Sequence, residues 1–121
     1  MKQVVFIGAL AASLATTASA AVPSTSTAQA AAGAESFVRH CAACHAPGRS
    51  HPGTLQLEMD RGLDKAYLLA RKDLIPDYVK IVVRNGYRSM PPFRISEIGD
   101  AELSRLAAYV SSTPDPSRGA Q

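Results

Sequence analysis

The sequence lacks the features by which an enzyme that uses its own side chains is usually found. No pair of carboxylates stands out as an acid and base couple, and no nucleophile has an evident base near it. No alternating apolar pattern of useful strand length is present, and no segment repeats. These absences give no support to side-chain catalysis, and they favour an all-α fold.

An excess of one charge sign is also lacking. The 121 residues include 13 Lys and Arg against 10 Asp and Glu, a formal net charge of +3. Removal of Lys2 with an export signal would leave 12 basic residues against the 10 acidic ones. This balance is too even to indicate a nucleic-acid partner or a charged membrane surface.

Long apolar runs are confined to the N-terminus. Met1 and Lys2 form a short basic start, residues 4–14 are apolar, and residues 18–20 are a small-residue cleavage pattern. This order predicts a signal peptide over residues 1–20 and a periplasmic protein; later cleavage after Ala30, or an uncleaved anchor, is the alternative. Nothing later in the sequence resembles a membrane span, so none is expected after cleavage.

The rest of the chain divides by composition into three parts. Residues 21–32 are almost entirely small or polar and are predicted to be a flexible leader, because they cannot bury enough apolar surface. Residues 33–113 are predicted to form one domain, followed by a tail over residues 114–121. The hydrophobic core of a domain of that size supplies only about 3 to 5 kcal/mol of folding stability, so such a domain usually needs a further stabilising element such as a disulfide, a metal or a bound cofactor.

Both cysteines of the chain lie in one pentapeptide, Cys41-Ala-Ala-Cys44-His45, whose spacing is the attachment signature of haem c. On a helical turn the two thiols share a face with His45, so they can reach two vinyl groups of one porphyrin while His45 binds the iron. A disulfide would close too small a loop to stabilise much, and a thioredoxin-like pair expects a βαβ surround. Zinc would need His40 or His51 at unusual spacing, and we expect both to be surface or loop residues. One covalently attached haem is therefore the predicted cofactor, and it would also supply the additional stability that a domain of this size needs.

The sixth iron ligand separates an electron carrier from a haem enzyme or sensor with an open site. Met90 lies in a loop between Gly86, which is predicted to end a helix, and two prolines that hold the next residues extended. We predict Met90 as the axial ligand opposite His45, and Met59 as a core filler. An electron carrier is therefore predicted, with the open-site haem protein as the alternative.

Apolar periodicity and capping residues predict three helices and a weaker fourth. Gly33, Phe37 and Cys41 recur on one face of the first helix. Pro76 and Gly86 delimit the second, and an acidic start with an apolar face marks the third. The predicted ranges are 33–44, 76–85 and 100–112, with the weaker helix at 64–71.

This order of parts, from the helix with the C-x-x-C-H motif to a C-terminal helix, resembles the class I cytochrome c family over residues 33–113. The resemblance implies a small all-α fold of three to four helices around one haem. It also implies that Gly33 and Phe37 cross the C-terminal helix near Leu106 and Tyr109.

The same resemblance implies a partner for the iron-binding histidine. A proline carbonyl shortly after the motif should accept the Nδ1 proton of His45, and Pro52 is preferred to Pro47 for this role.

Residues 78–93, which include Arg84-Asn-Gly-Tyr-Arg-Ser-Met90-Pro-Pro-Phe93, resemble the cytochrome subunit of flavocytochromes that hydroxylate 4-alkylphenols, such as p-cresol methylhydroxylase and eugenol hydroxylase. In that family a flavoprotein oxidises the phenol and the cytochrome takes its electrons. The resemblance implies a flavoprotein dehydrogenase as redox partner, with a general diffusible shuttle as the alternative.

The loop around Met90 is also the predicted docking surface. Tyr87 and residues 91–93 would form a rigid apolar patch, with Arg84, Arg88 and Arg94 at its rim. Arg84, Tyr87 and Arg88 could instead hydrogen-bond haem propionates, or simply form a solvated helix end.

Overall fold

The computed structural model describes residues 25–112. Within this range the chain is helical, with no strand and one isolated antiparallel bridge between Tyr87 and Met90. The prediction of a small all-α fold is therefore confirmed. The α-helices are α1 Thr25–His40, α2 Ala42–His45, α3 Pro52–Arg61, α4 Pro76–Asn85 and α5 Asp100–Ser111, with 3₁₀ turns at Leu63–Lys65 and Leu68–Ala70. None of the helices in the described part is long and apolar enough to span a membrane.

Helices α4 and α5 lie where the sequence predicts them. Pro76 occupies the first turn of α4, and the backbone N–H of Gly86, at φ 72°, donates to the carbonyl of Val82 at the end. Asp100 and Glu102 stand in the first turn of α5, where the helix dipole favours negative charge. Local capping signals and an apolar stripe are sufficient to define both helices.

The N-terminal helix differs from its prediction at both ends. Helix α1 begins at Thr25 instead of Gly33, and it ends at His40 because Cys41 lies in a turn that separates it from α2. Residues 25–32, predicted as part of the flexible leader, are helical, since alanine-rich sequence readily extends a helix that is anchored further along. The predicted signal peptide and the C-terminal tail lie outside the described residues.

The middle of the chain also differs. Helix α3 was not predicted, and the weak helix expected over residues 64–71 is replaced by the two 3₁₀ turns. Leu69 of the second turn is buried in the core, together with Leu74 after it. The segment is thus held by a few apolar anchors and not by continuous helix.

Helices α1 and α5 cross at a close contact that was implied by the family resemblance and is confirmed. The rings of Phe37 and Tyr109 lie 6.1 Å apart at 55°. A Cβ atom on Gly33 would come within 2.6 Å of both the Arg105 carbonyl oxygen and the Tyr109 Cβ. Leu106 is fully buried beside this contact. Only glycine therefore fits at position 33 without moving α5.

Replacement of Gly33 with valine should force the two helices apart and lower the free energy of unfolding by about 1–3 kcal/mol. Thermal and urea unfolding of the haem-containing protein would measure this. Ala31→Val is the matched control, since Ala31 is exposed on the same helix and reports only the cost of a β-branched residue. Equal destabilisation by the two variants would contradict the close-contact role of Gly33.

Candidate haem site

A cavity of 420 Å³ lies beside the core, between the five α-helices and the loop that follows α4. Its walls are mainly apolar, with Phe37, Leu74, Val83, Leu106 and Val110 among them. The cavity is also lined by all four residues that the sequence predicts as haem attachment points or ligands, namely Cys41, Cys44, His45 and Met90. The fold thus brings together residues that lie up to 49 positions apart in the chain.

The attachment motif occupies a single helical turn. The backbone N–H groups of Cys44 and His45 both donate to the carbonyl of Cys41, at 3.0 and 2.8 Å. This turn places both thiols and the imidazole along the same wall of the cavity. Cys41 is half-buried, Cys44 is exposed, and both are free thiols.

The environment of the thiols argues against a thioredoxin-like redox pair. Burial, with a smaller contribution from Cys44, raises the pKa of the Cys41 thiol to about 11. Redox-active cysteines of that type are instead activated by a lowered pKa. The raised pKa of Cys41 therefore gives no support to a thioredoxin-like redox pair.

The two other histidines have protein partners. The Nε2 atom of His40 lies 3.3 Å from Glu102, and its ring meets the Phe93 ring edge-on at 6.2 Å. His40 is half-buried and lines the cavity, so it is not the surface residue that was expected. His51 lies just before α3, with its Nδ1 atom 3.1 Å from the Ala43 carbonyl. Among the described residues no group of three or more His, Cys, Asp or Glu side chains is placed to hold a metal ion.

His45 is positioned by α3. A Cβ on Gly53 would lie 2.7 Å from Cε1 and 2.9 Å from Nδ1 of the His45 ring, so glycine allows the helix to support the imidazole closely. Burial lowers the pKa of His45, which favours the neutral ring that can bind iron.

The expected hydrogen bond from His45 to Pro52 is not formed. Nδ1 of His45 is buried and has no hydrogen-bond partner in the described part of the chain. Pro52 opens α3, where its carbonyl belongs to the hydrogen-bond pattern of the helix. The resemblance implied that the Pro52 carbonyl accepts this hydrogen bond, and the structure corrects that expectation.

Met90 is held by the backbone of its loop. Its N–H donates to the Tyr87 carbonyl at 2.9 Å, and the Tyr87 N–H donates to the Met90 carbonyl at 3.0 Å. A Cβ on Gly86 would lie 2.7 Å from that same Met90 oxygen, so the positive φ and the missing side chain are both required there. The Phe93 N–H then anchors the loop to the carbonyl of Val83 in α4 at 2.8 Å.

Met59 is not a core filler. It is 72% exposed and does not line the cavity. Helix α3 buries only Thr54 among its ten residues, so a methionine near its end faces outward. Of the two methionines in the described residues, Met90 alone reaches the predicted haem site.

Arg84 has a structural role that the sequence did not indicate. Its Nη1 atom donates to the Phe93 carbonyl at 3.2 Å, and its Nη2 atom donates to Ile98 at 2.8 Å and to Asp100 at 2.7 Å. It does not line the cavity. Arg84 therefore joins the ligand loop to α5, and the propionate contact, one of the two alternatives that the sequence left for it, does not hold.

Arg88 links the ligand loop to α3. Its guanidinium donates to Asp60 at 2.5 Å and lies 5.7 Å above the centre of the Tyr87 ring. Its φ of 52° makes it the one described non-glycine residue with positive φ. Asp60, Arg88 and Tyr87 all line the cavity, so this ion pair bridges its rim.

Arg71 is the residue of the site that sequence reasoning missed. Only 9% of it is exposed, it lines the cavity, and its Nε and Nη2 atoms donate to Asp73 at 2.9 and 2.8 Å. The Arg71 guanidinium holds the pKa of Asp73 well below its usual range. The spacing of an arginine two positions before an aspartate was the one available signal, and it is common on protein surfaces.

The donor set and shape of this cavity fit a haem. An apolar chamber accepts a flat macrocycle, two thiols lie on one wall, and a neutral imidazole and a thioether are both available to iron.

Comparison with known proteins agrees with this chemistry. Residues 28–110 match the family model described as cytochrome C oxidase, cbb3-type, subunit III. The chain belongs to this family of cytochrome c domains, and it is a haem-binding protein that functions in electron transfer.

Two individual proteins are similar to this chain in sequence. The chain is 37% identical over 76 residues to the 4-cresol dehydrogenase [hydroxylating] cytochrome c subunit of Pseudomonas putida, covering 63% of this chain but 55% of that protein. It is 39% identical over 88 residues to cytochrome c6 of Picosynechococcus sp., covering 69% of this chain and 73% of the relative. The chain thus spans little more than half the length of the first relative.

One solved structure supports the same relationship. A crystal structure of p-cresol methylhydroxylase with substrate bound contains a chain that matches at a TM-score of 0.50 and 31% identity. The match covers 72% of this chain and 99% of that one. The resemblance stated from residues 78–93 is therefore confirmed.

Proposed function

We propose that this protein is a periplasmic electron carrier with one haem, attached covalently to Cys41 and Cys44 and bound axially by His45 and Met90. We further propose that it accepts electrons from a flavoprotein dehydrogenase. The observation that carries the first proposal is the convergence of these four residues on one apolar cavity. The apolar run and cleavage pattern of residues 1–20 support the periplasmic location.

A haem bound there supplies one-electron chemistry at its iron. The chain supplies the surroundings that make such a centre a carrier and not a catalyst. His45 is kept neutral by burial, and Met90 is held near the cavity by its paired backbone hydrogen bonds with Tyr87. Mainly apolar walls limit the entry of water, and a thioether ligand favours the reduced state.

Two findings support a flavoprotein donor. The 4-cresol dehydrogenase relative is itself named as a cytochrome c subunit, and the matching solved structure is of p-cresol methylhydroxylase. The sequence around Met90 carries the same resemblance.

The surface around Met90 supports docking with two corrections, to Phe93 in the apolar patch and to Arg84 at its rim, since Arg84 is paired with the Ile98 carbonyl and Asp100. Tyr87 is 46% exposed, and Pro91 and Pro92 are exposed beside it. Phe93, predicted as part of this patch, is half-buried and packs against the core. The proposed docking patch therefore consists of Tyr87, Pro91 and Pro92, with the exposed Arg88 and Arg94 at its rim.

The docking patch can be tested by rapid mixing of the oxidised holoprotein with a flavoprotein that has been reduced by a 4-alkylphenol. The haem should be reduced rapidly, and Tyr87→Ser should slow this by about tenfold, since buried tyrosines carry much of the binding energy of interfaces. Arg94→Gln should have a smaller effect that disappears at high salt. Each variant is first checked for an unchanged haem spectrum.

Matched controls are available on α1. Val38 is 70% exposed and Arg39 is exposed, and neither lines the cavity, so Val38→Ser and Arg39→Gln should leave the rate unchanged. Equal rates with unrelated flavoproteins, unaffected by Tyr87→Ser, would leave a general diffusible shuttle as the function.

A further inference from the structure

The loop that carries Met90 is joined to helix α3 by an ion pair between Arg88 and Asp60. The Arg88 guanidinium donates to the Asp60 carboxylate at 2.5 Å, across 28 positions of the chain. Within residues 25–112 no other hydrogen bond or ion pair connects α3 with residues 86–92. Both partners line the cavity, so the pair crosses its rim and is the polar link between these two elements.

Each partner occupies a position that its local sequence disfavours. Arg88 has a φ of 52°, in the left-handed region that costs a non-glycine residue free energy. Asp60 lies in the last turn of α3, where the negative end of the helix dipole repels a carboxylate. Because local preference alone would produce neither arrangement, contacts between distant segments must maintain both. Conflicts of this kind are concentrated at functional sites.

Helix α3 also contacts the predicted iron ligand of the attachment motif. Near its start, a Cβ on Gly53 would lie 2.7 Å from Cε1 of the His45 ring. The hydroxyl of Thr54, the one buried residue of α3, donates to the Ala46 carbonyl at 2.8 Å and ties this end to the motif. Asp60 lies further along the same helix, about 10 Å from Gly53 at the usual rise per residue. One rigid helix therefore extends from His45 to the rim of the cavity near the ligand loop.

Arg88 is equally close to the other predicted ligand. It lies two positions before Met90, inside the turn in which Tyr87 and Met90 exchange backbone hydrogen bonds of 3.0 and 2.9 Å. Its guanidinium also lies 5.7 Å above the centre of the Tyr87 ring. In so short a turn, a displacement of Arg88 is transmitted directly to Met90.

We propose that Asp60 and Arg88 are positioning residues for Met90. Their ion pair joins the helix that supports His45 to the loop that carries Met90, so that both ligands reach the same iron. This inference rests on the proposed function, and it gives a role to two side chains that are not themselves ligands. The Arg88 and Asp60 side chains are 56% and 25% exposed, so the contribution of the pair should be modest and sensitive to salt.

The test measures how readily Met90 is displaced in the ferric, full-length holoprotein. Imidazole is a neutral ligand that competes with methionine for haem iron, and its apparent affinity rises with the fraction of molecules in which Met90 is off the iron. Arg88→Gln and Asp60→Asn should each raise this affinity by about two- to fivefold at low salt, the range expected for an exposed ion pair. The difference from wild type should vanish at about 1 M salt. Loss of the charge-transfer band of methionine-ligated ferric haem follows each titration.

Exchange of the two charges is a sharper experiment. Asp60→Arg alone and Arg88→Asp alone place like charges together, so each should raise the imidazole affinity at least as much as the neutral variants. The double exchange should return it toward the wild-type value, because aspartate tolerates a positive φ and arginine suits the last turn of a helix. Lys80→Gln is the matched control. It breaks an exposed ion pair with Asp77 within α4, and since neither residue lines the cavity it should leave the affinity unchanged.

The positioning role would be overturned if Arg88→Gln and Asp60→Asn bound imidazole like Lys80→Gln, or if the double exchange bound it as tightly as the single reversals. A lower melting temperature with unchanged imidazole affinity would also overturn it, since that result is expected of a pair that only stabilises the fold. The two neutral variants probe the pair from both sides, so the test does not depend on the folding of either one.

The outcomes also distinguish this proposal from the proposed function. Wild-type protein that carries covalent haem and shows the methionine band, with variants that behave like the control, would overturn only the role of Asp60 and Arg88. Wild-type protein without covalent haem, or without the methionine band, would overturn both proposals.

Discussion

Replacement of Met90 with alanine should convert a low-spin haem protein into one with an open iron site. The haem should stay attached, since Cys41, Cys44 and His45 are untouched. The charge-transfer band of methionine-ligated ferric haem should be lost, and the reduced protein should bind carbon monoxide without treatment. The midpoint potential should fall by on the order of 0.1 V or more, because axial ligands set haem potentials over about 0.8 V.

Met59→Ala is the natural control for this experiment. Met59 is 72% exposed on α3 and does not line the cavity, so its removal should change neither the spectrum nor the potential. Loss of the band in Met59→Ala with its retention in Met90→Ala would show that the ligand assignment is wrong. Carbon monoxide binding by the unmodified reduced protein would instead favour a haem enzyme or sensor.

Helices could be predicted where their signals are local. Helix α4 has a proline in its first turn, a glycine at its end and an apolar stripe, and its bounds agree with the prediction. Helix α3 has the same end signals, Pro52 and Gly62, but Leu55, Leu57 and Met59 alternate along it instead of following a helical period. Its position is decided by the close packing of Gly53 against His45, which is a tertiary contact.

The candidate site residues also differ in whether local sequence indicates them. Cys41, Cys44 and His45 could be predicted from one pentapeptide and Met90 from its loop, because short, recognisable sequence patterns contain them. Arg71 could not be found in this way, since nothing local distinguishes a buried arginine from a solvated one.

Arg84 lies close to the ligand loop in sequence, and this proximity suggested a haem propionate as one possible partner. Its guanidinium instead donates to the Ile98 carbonyl and to Asp100, which lie 14 and 16 positions further along the chain. Burial and long-range pairing are properties of the fold, and they decide which arginines line the cavity.

The double replacement of Cys41 and Cys44 with alanine should abolish covalent haem and, with it, the stable fold. Without haem the chain would have to maintain a cavity of 420 Å³, which at about 24 cal/mol per Å³ amounts to roughly 10 kcal/mol. This is an upper limit, because exposed lining residues such as Cys44 show that the cavity opens to solvent. A core of this size supplies only about 3 to 5 kcal/mol, so a fraction of this upper limit is enough to unfold the chain without haem.

Mass spectrometry after acid and organic extraction would measure attachment, and circular dichroism would measure folding. Extracted wild-type chain should retain the mass of one haem, the double variant none, and Cys44→Ala one haem through the single bond to Cys41. The double variant should also show weak helical signal and no cooperative melting, since Phe37, Val83 and Leu106 would line an empty chamber. Haem that survives extraction in the double variant would contradict attachment at these cysteines, and cooperative melting without haem would show that the protein core alone is sufficient for folding.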